Sequence, residues 1–147
     1  LNIRTAVLRV GIVLSTDGGA LPKIAAPIKL GAGAPLASGK QVMPWIHIQD
    51  LAQQFLFALE NEKMEGPYNA CGPRNATNAE LTKALAKVLK KPLFLPNIPA
   101  FVLKLLLGEM AETVLASNPC SNKKIAAAGF KYQYPQLQAA LANIYNN

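Results

Sequence analysis

The apolar positions of this chain fall into runs of two kinds. Residues 5–14, Thr-Ala-Val-Leu-Arg-Val-Gly-Ile-Val-Leu, are almost continuously aliphatic and rich in β-branched side chains. That pattern predicts a strand buried on both faces, as in a parallel sheet covered by helices. Arg9 interrupts it and needs a partner if buried: backbone carbonyls beside the sheet, or a bound anion. Elsewhere the apolar residues recur at helical spacing and predict helices over 21–30, 51–60, 78–89, 98–107, 108–116, 121–128 and 135–145. Asp50 and Asn78 stand where N-caps belong, and Ser15-Thr16-Asp17-Gly18-Gly19 is a loop able to cap the helix after it. Residues 31–36 read as an irregular loop, 66–73 as a short strand closed by a turn, and 91–96 as an extended piece fenced by prolines. Helix dominates, with two strong strands and two weaker ones. Such strands cannot complete a sheet alone. Together with a first residue that is leucine, not methionine, this predicts a piece of a longer protein.

The segment 39–52 concentrates the rare side chains. It holds the only tryptophan and the only histidine, Trp45 and His47, one residue apart. On an extended segment they share one face, with Ile46 and Ile48 on the other. A flat aromatic and a titratable imidazole at a strand-to-helix junction suit a small-molecule site. The same residues equally suit a buried indole and a histidine bonded to backbone, and the pattern leaves both open.

Composition narrows the field. With 147 residues, 51% apolar and 16% charged, the chain is long enough for a real core, and neither disordered nor a charged coiled coil. The formal charge of +7 is partly gathered at Lys83, Lys87, Lys90 and Lys91, opposite Leu81, Leu85, Val88 and Leu89 on one helix. No arginine or aromatic residue is interleaved there, so it reads as a solvated face, not a nucleic-acid surface. Glu80, three residues before Lys83, reads as an ordinary helix ion pair. Cys71 and Cys120 match no metal spacing and one histidine cannot complete a site with them. Reduced thiols in a cytoplasmic protein are the default, with a disulfide left open. Residues 98–107 are too short to span a bilayer and are broken by Lys104. Gly31-Ala32-Gly33 lacks the third glycine and the preceding strand of a dinucleotide fingerprint, and Gly39-Lys40 lacks the hydroxyl of a P-loop.

Several motifs then occur in a telling order: Leu8-Arg9-Val10-Gly11-Ile12-Val13-Leu14-Ser15, Gly18-Gly19-Ala20-Leu21-Pro22-Lys23, Gly39-Lys40-Gln41, Trp45-Ile46-His47-Ile48-Gln49-Asp50-Leu51 and Gly66-Pro67-Tyr68-Asn69-Ala70. Leu107-Gly108-Glu109-Met110-Ala111 and Ala128-Gly129-Phe130-Lys131-Tyr132-Gln133-Tyr134-Pro135 follow. Together they resemble the C-terminal half of an atypical extended short-chain dehydrogenase/reductase of the nucleoside-diphosphate-sugar epimerase-like family. The resemblance implies an α/β fold: the last strands of a Rossmann-like parallel sheet within residues 1–76, then a mainly helical substrate-side domain over 77–147.

It also implies a parent protein that binds NAD or NADP and a small-molecule substrate. Gly11, Ile12 and Val13 would lie by the nicotinamide, while Ser15, Gly19, Trp45 and His47 would wall the substrate cleft. The cofactor fingerprint and the catalytic Tyr-x-x-x-Lys are not in these residues: Tyr68 is followed four positions on by Gly72, Tyr132 by Gln136 and Tyr134 by Gln138. No catalytic or metal-binding residue is therefore expected in the chain, nor tight cofactor binding by it alone. Met43-Pro44 stand where many members carry an arginine for the substrate's diphosphate, which counts against a sugar nucleotide. The alternative is a non-catalytic interaction module that uses the basic helix or an open strand edge, with homodimerisation as a consequence of the edge. Neither reading calls for nucleic acid or a membrane.

Overall fold

The computed structural model describes residues 3–146. Its elements run β1 (Ala6–Val10), β2 (Ile12–Leu14), α1 (Ala20–Lys29), β3 (Val42–Met43), β4 (Trp45–His47), α2 (Ile48–Glu60), β5 (Gly66–Ala70), β6 (Ala76–Thr77), α3 (Asn78–Val88), α4 (Ala100–Leu107), α5 (Met110–Leu115), α6 (Lys123–Ala127) and α7 (Leu137–Asn146). The aliphatic run thus becomes two consecutive strands that break at Gly11 and change partner there. β1 pairs in parallel with β5, from Ala6 beside Gly66 to Val10 beside Ala70. β2 pairs in parallel with β4, from Ile12 beside Trp45 to Leu14 beside His47. β3 and β6 form a short antiparallel pair.

Glycine is required at the exchange. The Gly11 N–H donates to Ala70 O at 3.0 Å and the Ile12 N–H to Pro44 O at 2.7 Å. A Cβ on residue 11 would lie 2.7 Å from that same Pro44 oxygen, closer than side chains tolerate. A further bond, Gly72 N–H to Trp45 O at 2.6 Å, joins the end of β5 to β4.

Alternation along β4 sends its side chains into different layers. Trp45 enters a core built from Leu14, Leu21, Ala25 and Ile28 with Leu81, Leu85 and Val88 of α3 and Leu141 of α7. Ile46 joins Leu51 and Ala70 against Leu8 and Val13. A third cluster gathers Ala58, Met64, Tyr68, Ile125 and Phe130. The first core draws on both ends of the chain, so the helical C-terminal half is anchored to the strands rather than tethered beside them.

Several local expectations are corrected. β1 is not buried on both faces: Val7 and Val10 are 47% and 44% exposed, and Arg9 is exposed. The α2 cap is His47, not Asp50, because the helix begins three residues earlier than its apolar spacing suggests. The α3 cap is Thr77, not Asn78. Thr77 and Glu80 form a reciprocal capping box, which takes Glu80 out of pairing with Lys83, while the Asn78 side chain accepts the Leu36 N–H at 2.7 Å. The 15–19 loop leads into α1 through Gly19, at φ 80°, without a side-chain cap bond. Residues 91–96 form no strand.

Candidate functional site

Because β2 and β4 are parallel, both end on the same side of the sheet, and there the chain gathers its polar groups. β2 runs into the loop 15–19, where Ser15 Oγ accepts the Asp17 N–H at 3.2 Å and Thr16, Asp17, Gly18 and Gly19 are exposed. β4 runs into His47, which is 1% exposed and opens α2.

His47 is fixed on three sides. Its Nδ1 accepts the Gln49 N–H at 3.1 Å, so that nitrogen carries no proton. Its Nε2 lies 3.1 Å from Asn143 Oδ1 on α7, an acceptor, so Nε2 carries the proton and donates. Tyr134 stacks on the ring at a centroid distance of 4.0 Å. Burial holds the imidazole below its usual pKa, against the opposing pull of the Asn143 bond and the Asp50 charge. The ring is a neutral, single-tautomer brace.

Asp50, also 1% exposed, binds the same C-terminal segment. Its two carboxylate oxygens accept the Gln133 N–H at 2.7 Å and the Tyr134 N–H at 3.0 Å. Tyr132 completes the seam: its hydroxyl donates to Cys71 O at 2.6 Å and accepts from Asn122 Nδ2 at 3.2 Å, and burial raises its pKa. Residues 130–134 therefore strap the ends of β4 and β5. The roles of Tyr132 and Tyr134 were missed by residue patterning, as their signal is only two half-buried tyrosines spaced on one side of an extended segment. Arg4 was missed too. It donates to the carbonyls of Ala58 and Met64 at 2.9 and 2.8 Å, holding the end of α2.

The residues singled out by the motifs occupy one neighbourhood at different depths. Gly11, Ile12 and Val13 are half-buried, Trp45 and His47 pair beside Ile12 and Leu14, and Ser15 follows directly. A Cβ at Gly19 would sit 3.8 Å from Val13 O, so the loop folds back over β2. Ser15 and Gly19 face outward, whereas Trp45 lies in the core at 2% exposure. An open groove of about 490 Å³ lies elsewhere, between α2 and the strap, lined by Asp50, Gln53, Phe57, Glu60, Lys131 and Gln133 among others. None of Gly11, Ile12, Val13, Ser15, Gly19, Trp45 and His47 lines it.

Residues 3–71 match the family described as "NAD dependent epimerase/dehydratase family", and residues 98–144 match "Domain of unknown function (DUF1731)". The mouse protein "Epimerase family protein SDR39U1" is 39% identical over 144 residues, which are 97% of this chain and 49% of that protein. "Epimerase family protein YfhF" of Bacillus subtilis is 35% identical, over 98% and 47% of the two chains. The crystal structure of human SDR39U1 (isoform 2) with NADPH superimposes at a TM-score of 0.90 with 37% identity, covering 98% of this chain and 49% of that one. The nucleoside-diphosphate sugar epimerase of Corynebacterium glutamicum superimposes at 0.74 with 25% identity, covering 97% and 26%. The chain spans about half the length of the curated relatives it matches. Rossmann-like α/β in fold and matched from its first strand to α7, the chain carries an NAD dependent epimerase/dehydratase family match over residues 3–71, a DUF1731 match over residues 98–144, and a likeness to about half the length of epimerase family proteins.

Proposed function

We propose that these residues form the substrate-side portion of an NAD(P)-dependent epimerase or reductase-like protein and are not catalytically complete alone. The observation that carries the reading is the parallel β2–β4 pair, whose shared end opens into an exposed loop and a helix N-terminus. In open α/β sheets ligands bind beyond the carboxyl ends of the strands.

The residues there fit a nicotinamide in part. The Gly11 and Ile12 N–H groups are committed to Ala70 and Pro44, so in this reading Gly11 and Ile12 shape the strand end. A carboxamide is then met by the backbone of Val13 and of the loop beyond it. Gly18 is exposed and nothing lies within 4 Å of an added Cβ there, so the loop is open on that side. A bound nicotinamide supplies hydride chemistry. Ser15 and Gly19 wall the cleft directly, while Trp45 and His47 hold its floor. Residues 1–76 and 77–147 are two contributions to this arrangement, cofactor-side and substrate-side, joined by a common core. Met43-Pro44 bring no guanidinium to a diphosphate, so a substrate without one suits this cleft better than a sugar nucleotide.

Titration of the isolated chain with NADPH, followed by the fluorescence of Trp45, tests the reading. We expect no saturable change below millimolar cofactor and no NADPH consumption with candidate carbonyl substrates. Tight binding with turnover would overturn it. A second reading, a self-associating interaction module, is favoured by the free edge of β1, which pairs only with β5 among the described residues.

A further inference from the structure

Cys71 and Cys120 are 49 positions apart in sequence, both free, and neither thiol takes part in the site described above, which uses only the Cys71 carbonyl. The fold nevertheless brings them together. Cys71 is buried just beyond the end of β5, and the Cys120 thiol is the neighbouring group that, after burial, raises its pKa. The approach is enforced from both flanks. Asn69 Nδ2 donates to Ser121 O at 3.0 Å. Asn75 Nδ2 donates to Cys120 O at 3.0 Å, and Asn75 Oδ1 accepts the Cys120 N–H at 3.4 Å. Side chains two before and four after Cys71 thus grip the backbone of Cys120 and its neighbour. Cys120 is half-buried in the irregular stretch between α5 and α6, which can shift slightly without disturbing a helix.

We propose that Cys71 and Cys120 are a reversible thiol–disulfide pair that, when oxidised by a low-molecular-weight disulfide, staples the DUF1731 segment to the end of β5. Cys71 is the last residue of the epimerase-family match and Cys120 lies inside the DUF1731 match, so the bond would join the two. In the first step the Cys120 thiolate attacks one sulfur of oxidised glutathione and a glutathione thiolate leaves. In the second the Cys71 thiolate attacks the Cys120 sulfur of the mixed disulfide and the other glutathione leaves. Two protein thiols lose two electrons and two protons, and one glutathione disulfide becomes two thiols. The order follows from the surroundings. Cys120 is the more accessible, while burial and the neighbouring thiol push Cys71 up to about 12, so that it serves as the slow resolving group. The inference is independent of whether the chain binds a nicotinamide.

The test is incubation of the native chain with oxidised glutathione at pH 8, alkylation of remaining thiols, and mass spectrometry with and without reductant. The expected result is a monomer that has lost two hydrogens, a Cys71–Cys120 cross-linked peptide, and a melting temperature raised by roughly 5–15 °C that returns on reduction. Cys71→Ser should instead accumulate a lasting glutathione adduct on Cys120. If that variant does not fold, Cys120→Ser supplies the counterpart, in which Cys71 stays unmodified in the native protein. Adducts on both cysteines of the unmutated chain, on neither, or a bond between two chains would overturn the proposal.

Discussion

A second proton on His47 has nowhere to go. Nδ1 is the acceptor for the first turn of α2, so protonation there breaks the cap and puts a cation against the positive end of the helix. Because burial lowers the folded-state pKa, the unfolded chain binds the proton more readily, and stability rises with pH wherever the two states differ. The His47 contribution is therefore complete above the ordinary value of 6.5 and is lost as pH falls below it toward the lower folded value. Melting temperatures between pH 8 and 5 should fall more steeply for the native chain than for His47→Asn, which keeps a capping acceptor without the titration. Equal slopes would show that the ring is not neutral in the fold. Asp50 differs in kind. Its carboxylate contacts backbone 83 and 84 residues away, so it acts as a tertiary tie rather than a local cap.

Among elements, the exchange of strand partners at Gly11 depends most on one residue. A methyl there meets Pro44 O at 2.7 Å, and neither β2 nor the Ile12–Pro44 bond leaves room to retreat. Gly11→Ala should cost about 2 kcal/mol, a drop in melting temperature of roughly 5 °C. An unchanged melting curve would mean that the two strands slide apart freely. This exchange also marks where sequence patterning runs out. All seven helices among the described residues follow the apolar periodicity within about three residues at either end, and α1, α2, α3 and α7 each bury a stripe. The aliphatic run 5–14 announces a strand, but not that it changes neighbour midway, since pairing is set by residues more than 30 positions off. The starts of α2 and α3 were misplaced for a related reason: Asp50 and Asn78 have capping side chains, yet distant backbone claims them first. Trp45 and His47 were legible as special. Their depth was not, because exposure depends on α1, α3 and α7 closing over them.

For the whole molecule, exposed apolar side chains bear on self-association. Val7 and Val10 of β1 are 47% and 44% exposed, and Phe55 and Leu59 of α2 are 51% and 72% exposed. A strand with an unpaired edge and apolar flanks recruits another strand. Sedimentation of the chain should show association growing with concentration, and Val7→Lys should suppress it by placing a charge on that edge. A monomer at every concentration would dispose of the idea. Among the described residues no helix is long and apolar enough to cross a membrane.

The strap from residue 130 to 134 has a consequence for how the protein is made. The imidazole and carboxylate at the head of α2 find their partners 83 to 96 residues later, in segments translated long after α2 itself. Until then both groups must stay hydrated, and the β4–α2 junction cannot close over them. Contacts of such long sequence separation form late and slowly. In the nascent chain, ordering of the β4–α2 junction therefore waits on translation of the strap and of α7.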